Sequence, residues 1–281
     1  MATIQKKTVL ITGCSVGGIG WAMAKIFHER GFHVFATVRD PSKAADLSEL
    51  SNVDVLELDV TVAETISQCK DTVAKRTGGK LDILVNNAGV ESVCPLLELD
   101  VAEAKRQYDV NVWGLLAMVQ AFAPLLIEAK GVVSNHSSID AVLSMVWSGI
   151  YSSSKAAEAR MSEILRLELE PLGVRVVTAM CGSANTPIFD KPGGQMKLPE
   201  TSYYYNVQDA ATKERMDHKG KAMKVEVLAD KLVKEILGGA KGPIWYGAFA
   251  PLVRFATWAF PRWYLDKLVN AERGLDQVKR R

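Results

Sequence analysis

Short apolar runs alternate along this chain with longer stretches in which apolar residues recur every three or four positions. Residues 8–12, 32–38, 53–58, 82–85, 131–135, 174–180 and 243–246 are rich in Val, Ile and Leu and show no clean apolar–polar alternation. That pattern predicts strands covered on both faces. Between them, 18–30, 42–50, 62–76, 101–130, 149–170 and 225–237 carry helical spacing. Gly31 closes the first of these, because glycine accepts the conformation that ends helices. Pro124 predicts a bend in the longest. Strand–helix alternation repeated this often implies a parallel sheet with right-handed crossovers. The expected fold is a three-layer, Rossmann-like, doubly wound α/β sheet forming one domain over residues 1–281.

Two segments break the rhythm. Residues 183–224 are polar and hold Pro187, Pro192, Gly193-Gly194, Pro199 and Tyr203-Tyr204-Tyr205. A loop this long inside a compact domain usually serves function, so it is expected to be a mobile substrate lid. An apolar C-terminal extension, 248–281, follows the last strand and contains Trp258 and Trp263. Pro251, Pro261, Arg254, Arg262 and Asp266 interrupt its 248–268 part, which argues against a membrane span. Packing over the substrate site or a subunit partner is the first expectation. Peripheral contact with a membrane or lipid surface is the second.

Composition narrows the function classes. The 281 residues are 48% apolar and 23% charged, ordinary for a globular protein. The 34 basic against 32 acidic residues give a net charge of +2, without the concentrated basic face of a nucleic-acid binder. Lys279-Arg280-Arg281 reads as a solvated tail. Cys14, Cys69, Cys94 and Cys181 form no Cys-x-x-Cys pair, so neither a metal site nor a disulfide framework is expected. With no targeting segment visible in residues 1–7, the expected location is intracellular and cytoplasmic.

The chemistry begins at Thr12-Gly13-Cys14-Ser15-Val16-Gly17-Gly18-Ile19-Gly20, between the first strand and the first helix. Glycines there allow a tight turn and close approach of a pyrophosphate, which a helix N-terminus then favours. Gly13, Ser15, Gly18, Ile19 and Gly20 are the candidate contacts. The second strand ends Val38-Arg39-Asp40. No acid for a ribose 2′-hydroxyl falls within the strand end, while the Arg39 guanidinium suits a 2′-phosphate. NADP(H) is therefore the expected cofactor, with Ser15 and Thr37 as hydroxyl partners and Asp40 as the contrary sign. Asp59 and Val60, after the third strand, are placed to flank the adenine.

Tyr151-Ser152-Ser153-Ser154-Lys155 opens a helix. Residues four apart share a face, so the tyrosine and the lysine can enter one cleft. A phenol near pKa 10 is a poor acid–base at neutral pH, and a nearby ammonium is expected to lower it. Ser138, at a strand end thirteen residues earlier, can hold a substrate oxygen.

With Asn86-Asn87-Ala88-Gly89 and Asn111-Val112-Trp113-Gly114 added, the chain resembles the short-chain dehydrogenase/reductase family over nearly its whole length. The resemblance implies a catalytic tetrad of Asn111, Ser138, Tyr151 and Lys155. It gives Asn111 a helix kink and a water in a proton relay, and Lys155 a bond to the nicotinamide ribose. It lays Asn87, Ala88 and Gly89 along the cofactor and places Gly182 and Thr186 at the nicotinamide. It also implies a homodimer or homotetramer pairing through helices 101–130 and 149–170. Within the family the likeness is to the fungal branch similar to 1-acyldihydroxyacetone-phosphate reductase, carried by residues 17–20, 109–114 and 261–266.

Several positions depart from the family pattern. The glycine loop has one extra residue, Cys181 replaces a proline, and His136 replaces an apolar residue. Asp140 lies two residues past Ser138 and is either a pocket residue or a solvent-facing loop aspartate. In the pocket it would suit a cationic or polyhydroxylated substrate and disfavour a phosphate. Substrate candidates are Ser138, Asp140, Val146, Tyr151 and Phe189, with Met145, Trp147, Ile188 and Tyr203–Tyr205 nearby. The leading expectation is NADPH-dependent reduction of a ketone or aldehyde, or oxidation of the alcohol, on a bulky apolar substrate such as a fungal specialised metabolite. The alternatives are acyl-dihydroxyacetone-phosphate reduction at the endoplasmic reticulum or a lipid droplet, and a non-catalytic NADP-binding scaffold. Intact Ser138, Tyr151 and Lys155 argue against the scaffold.

Overall fold

Strands form where the chain is apolar on both faces. The computed structural model describes residues 6–190 and 196–278. Its strands and helices run β1 (Thr8–Thr12), α1 (Ile19–Glu29), β2 (His33–Val38), α2 (Ala45–Ser48), β3 (Val53–Glu57), α3 (Ala63–Thr77), β4 (Ile83–Asn86), α4 (Val101–Tyr108), α5 (Leu115–Ala129), β5 (Val132–Ser138), α6 (Gly149–Leu169), β6 (Arg175–Cys181), β7 (Ala184–Asn185), α7 (Gln208–Gly220), β8 (Met223–Lys224), α8 (Val225–Leu237), β9 (Gly242–Tyr246), α9 (Ala250–Ala259) and α10 (Arg262–Val269). Seven strands make one sheet in the order β3-β2-β1-β4-β5-β6-β9, and every neighbouring pair is parallel.

The sheet is buried from both sides, as its composition demands. Val9, Ile11, Val34 and Val177 pack with Phe27 of α1 and Leu228 and Leu232 of α8. Leu10, Phe35, Leu84 and Val133 point the other way, against Val73 of α3 and Met118, Phe122 and Leu126 of α5. The chain winds outward in opposite directions from β1 and β4. Their carboxyl ends therefore splay helices apart and leave the crevice where ligands bind in such sheets.

The expected bend near Pro124 is not where the long helix departs from α geometry. Pro124 lies inside α5. The departure is a wider, π-type turn over Asp109–Gly114, between α4 and α5. Gly114 allows that turn to press on the loop after β3, since a Cβ there would meet Val60 Cγ2 at 2.7 Å.

The segment read as an irregular polar loop contains structure. Ala184–Asn185 pairs in parallel with Met223–Lys224, and 208–220 is the helix α7. Its sequence, QDAATKERMDHKG, has too little apolar periodicity to announce itself. Pro192 and Gly193-Gly194 of the expected lid, residues 1–5 and the Lys279-Arg280-Arg281 end lie outside the described residues.

The C-terminal extension divides into two parts. Residues 270–273 fasten the loop before α6: Val146 N donates to Asn270 Oδ1 at 3.0 Å, Asn270 Nδ2 to Ser144 O at 2.9 Å, and Trp147 Nε1 to Arg273 O at 3.0 Å. Helices α9 and α10 bury Ala250, Val253 and Leu265. They leave Trp258 83% and Trp263 69% exposed, so within one chain these tryptophans do not pack over the substrate site.

Candidate active site

Residues far apart in sequence meet at the carboxyl edge of the sheet around a cleft of about 330 Å³. One end is a cradle without side chains. Gly13 has φ +73, and a Cβ on it would lie 2.9 Å from Ala88 Cα. A Cβ on Gly20 would lie 2.5 Å from Asn87 Nδ2. The extra loop residue is absorbed at Gly17, where φ is +76, a value that glycine adopts without strain. Gly18 then leads into α1 with no side chain capping the helix, leaving N–H groups for an anion. Thr12 Oγ1 accepts from Asn87 N and Ala88 N at 2.9 Å each, and Asn87 Nδ2 donates to Thr12 O at 2.8 Å and Gly13 O at 3.1 Å. These bonds lock the two loops together.

Gly13, Ser15, Gly18, Ile19, Arg39, Asp59, Val60, Asn87, Ala88, Gly89, Gly182 and Thr186 all line this cleft, with Gly20 packed just behind it. Asp40 turns away to cap the following turn, accepting from Ser42 N at 3.0 Å and Ser42 Oγ at 2.7 Å. Thr37 donates its hydroxyl proton to Ile11 O at 3.1 Å. Ser15 and the exposed Arg39 are thus the polar side chains of that corner. Gly182 is required by close approach, since a Cβ there would lie 2.0 Å from Ala248 O.

At the other end stand the expected catalytic groups. Ser138, Tyr151 and Lys155 line the cleft. Asn111 sits in the π-type turn, where its Oδ1 accepts from Val90 N at 2.9 Å and its Nδ2 donates to Val90 O at 2.9 Å and to Ser154 Oγ at 3.0 Å. It ties the loop after β4 to α6. Lys155 Nζ donates to His136 O at 2.8 Å and pairs with Glu158 Oε2 at 2.7 Å. Its Nζ lies 6.0 Å from the Tyr151 ring centroid.

The expected acidification of Tyr151 by Lys155 is not what this arrangement produces. Burial and the negative charges of Glu91, Asp140 and Glu158 push the phenol well above its usual value of 10, against a hydrogen bond with Ser138. The Lys155 charge is balanced instead by Glu158. Burial pushes the Glu158 carboxyl up, and the ammonium pulls it back.

The remaining candidates separate. Asp140 lines the cleft, and its backbone N donates to Ser138 Oγ at 3.1 Å. Phe189, Ile188, Met145 and Trp147 also line it. Val146 does not; it packs beside Trp147, Met196 and Val207 beneath the C-terminal extension. Tyr204 stacks edge-on against Trp147 at 5.3 Å, and Tyr203 is exposed. Residues not anticipated as part of the site are Glu91, Glu158 and the buried Arg273, whose Nη1 donates to Val146 O at 3.2 Å. An acidic residue three positions after Lys155 on a buried helix face was a usable signal. Nothing local announces Arg273.

His136 is buried and neutral. Because the Asn87 amide group donates through Nδ2 to the glycine loop, its Oδ1 faces His136 Nδ1 at 3.3 Å. Nδ1 is then the protonated nitrogen. Nε2 is left as a buried acceptor without a partner. A glycine cradle closed to any Cβ, an uncapped helix start and an orphaned acceptor on the cleft wall together fit a dinucleotide, whose ribose hydroxyls are donors.

Residues 7–196 match the short chain dehydrogenase family. The chain is 47% identical over 275 residues to the short-chain dehydrogenase cctT of Talaromyces islandicus, covering 97% of each. It is 38% identical over 258 residues to the NADPH-dependent 1-acyldihydroxyacetone phosphate reductase of Schizosaccharomyces pombe, covering 90% of this chain and 86% of that one. A short-chain dehydrogenase from Burkholderia cenocepacia, solved in complex with NADP, superposes with a TM-score of 0.75 at 26% identity, covering 95% of this chain and 99% of that one. This chain belongs to the short-chain dehydrogenase family and is an NAD(P)-dependent oxidoreductase acting on CH–OH or C=O groups.

Burial, and secondarily the Lys155 charge, push His136 down to about 3. The unfolded chain takes up a proton near pH 6.5 that the fold refuses, so this contribution to stability is complete above that pH and is lost as pH falls toward 3. Replacing His136 with Val should flatten the dependence between about pH 6 and 4 by up to ~1.4 kcal/mol per pH unit. Urea unfolding of both proteins across that range measures it. Parallel slopes would mean that His136 is charged in the fold.

Proposed function

We propose that this short-chain dehydrogenase uses NADPH to reduce the ketone or aldehyde carbonyl of a bulky, largely apolar molecule, a specialised metabolite of a fungus. The observation that carries this reading is the meeting, in one cleft, of the Ser138–Tyr151 pair with the glycine cradle. When bound, the nicotinamide supplies the hydride that the carbonyl carbon takes up. Ser138 and Tyr151 hold the carbonyl oxygen, and Tyr151 donates its proton to that oxygen as negative charge develops there. Lys155, Asn87 to Gly89, Gly182 and Thr186 hold the cofactor, and Arg39 with Ser15 receives the 2′-phosphate that distinguishes NADPH. Met145, Trp147, Ile188 and Phe189 supply an apolar wall suited to a large hydrocarbon frame. Asp140 and Glu91 bring carboxylates to that wall, which suits hydroxyl or amine groups on the substrate.

The second reading, acyl-dihydroxyacetone-phosphate reduction, draws support from the Schizosaccharomyces pombe relative and from the exposed aromatic face of α9 and α10. Trp258, Trp263, Phe255 and Tyr264 there, beside Arg254, Arg262 and Lys267, suit the interface of an anionic lipid surface. The Asp140 carboxylate weighs against a phosphate-bearing substrate. Self-association is expected through residues 101–130 and 149–170, where Trp113, Ile164 and Leu167 are exposed.

NADPH oxidation over a panel of bulky ketones, with acyl-dihydroxyacetone phosphate included, tests the activity. The Tyr151→Phe protein should lose at least about a hundredfold in kcat while still binding NADPH. Full activity in that variant would remove the phenol from the mechanism. Arg39→Asp should move the preference from NADPH toward NADH, and an unchanged ratio of kcat/KM values would exclude the 2′-phosphate role. In flotation with phosphatidylserine vesicles, wild type should rise and the Trp258→Ser/Trp263→Ser double variant should stay below. Wild type that does not float would count against lipid contact.

A further inference from the structure

Trp147 has a backbone φ of +70, in the left-handed region that glycine tolerates and a bulky side chain resists. It is nonetheless buried, and it lines the cleft. A residue persists in such a conformation only where its surroundings over-determine it, and residues of this kind gather at ligand sites. The strain therefore directs attention to the contacts that hold Trp147 in place.

Most of those contacts come from the C-terminal extension. Val146 N donates to Asn270 Oδ1 at 3.0 Å, and Val146 O accepts from Arg273 Nη1 at 3.2 Å. Trp147 Nε1 donates to Arg273 O at 3.0 Å. Asn270 Nδ2 donates to Ser144 O at 2.9 Å and to Asp266 O at 2.8 Å, which fixes its amide between α10 and the loop. The loop after β4 adds Cys94 N, donating to Trp147 O at 2.7 Å. These partners all lie outside the strands of the sheet. The same C-terminal segment also reaches the far side of the cleft. A Cβ on Gly274 would lie 3.1 Å from Ala210 Cβ and 3.2 Å from Val207 Cβ. Val278 packs with Trp147, Met196, Val207 and Ala211, and Tyr204 meets the Trp147 ring edge-on. Residues 270–278 thus touch both the loop before α6 and the segment 196–211, and Trp147 is the side chain common to these contacts.

We propose that Trp147 is a specificity-determining residue of the substrate cleft and that Asn270 and Arg273 are its positioning residues: residues 270–278 form a strap that holds the strained backbone and joins the Trp147 wall to the segment 196–211 as one unit. The inference rests on the reductase reading of the cleft and adds to it what sets the shape of the substrate. A wall fixed in advance receives a bulky frame that follows its contour without the cost of ordering the loop. It penalises a frame that needs the wall to move. Freed from the strap, the backbone at Trp147 relaxes out of the left-handed region and carries the indole away from its place. The wall then binds its substrate less well, while the proton-transfer groups on β5 and α6 stay where they are.

The test follows the wall in the full-length protein. In wild type, amide hydrogen exchange read by mass spectrometry should show residues 144–147, 198–207 and 270–278 opening together, within about tenfold of one another, and more readily than β1, β4 and β5. In Asn270→Ala the first two segments should exchange at least about tenfold faster while the strands keep their rates. With 5-fluorotryptophan incorporated, the ¹⁹F resonance of residue 147, assigned by its loss in Trp147→Phe, should shift in Asn270→Ala. On a ketone that wild type reduces, Asn270→Ala should raise KM at least about fivefold and leave kcat within about twofold, the mark of lost binding rather than lost chemistry. A wild-type strap that exchanges more than about a hundredfold faster than residues 144–147 overturns the proposal whether or not any variant folds. Unchanged exchange and an unmoved resonance in Asn270→Ala overturn it too, as does a fall in kcat at constant KM. Exchange and resonance need no turnover. A silent ketone panel would therefore strike the reductase reading and leave these two measurements to decide the strap, and a failed strap would leave the reductase reading intact.

Discussion

A lysine ammonium deep in a fold is tolerated only when its charge and its N–H groups are answered, and the surroundings of Lys155 meet that demand element by element. β5 presents the His136 carbonyl and α6 presents Glu158. Ser137 Oγ, again from β5, donates to the Lys155 carbonyl at 2.8 Å and pins the helix backbone to the strand. Breaking one of these contacts would leave a buried polar group unpaired, which costs more than the bond itself contributes. The strand end, the helix start and the cleft between them are thus held in one register. Tyr151, one turn before Lys155, takes its place from that register.

The other end of the cleft depends on a lack of side chains rather than on their bonds. Gly13, Gly20 and Gly182 stand where a single added carbon would meet backbone or a fixed amide. Asn87 joins these approaches by donating to two carbonyls of the glycine loop. The same two bonds orient its amide oxygen toward His136 and so decide which imidazole nitrogen carries the proton. Beneath this, Asn86 donates to Asn135 at 2.9 Å and Asn135 to Ser162 at 3.0 Å, a buried polar chain running from β4 through β5 to α6. Such a chain is stable because its links are paired, and it resists sliding of the elements that carry the site. The substrate side is less constrained. Its wall comes from the loop before α6, the segment after β7 and residue Arg273 of the C-terminal extension, parts of the chain that can vary without disturbing the sheet.

The strands and the main helices were legible because sheet strands buried on both faces must be continuously apolar and covering helices must repeat at 3.6 residues. The helix α7 is hidden because its residues are mostly polar, and the distortion of the long helix lies around Asn111 rather than at Pro124. Tyr151, Lys155 and the glycine loop were legible too, since their chemistry rests on local spacing: one helical turn for the pair, and one strand–turn–helix for the cradle.

By itself, then, the amino-acid order determined the layered sheet, the dinucleotide cradle and the tyrosine–lysine pair, because each is encoded within a few residues of the chain. Only the tertiary structure decided that Glu158 answers Lys155, that Asp140 faces the cleft while Val146 does not, that Asp40 turns away from the cradle, and that Arg273 reaches the site from more than a hundred residues beyond the loop it fastens. Those outcomes depend on which side chains are brought together and desolvated when distant elements pack. Charge and hydrogen bonding acquire their strength from that burial, and no stretch of sequence read alone contains it.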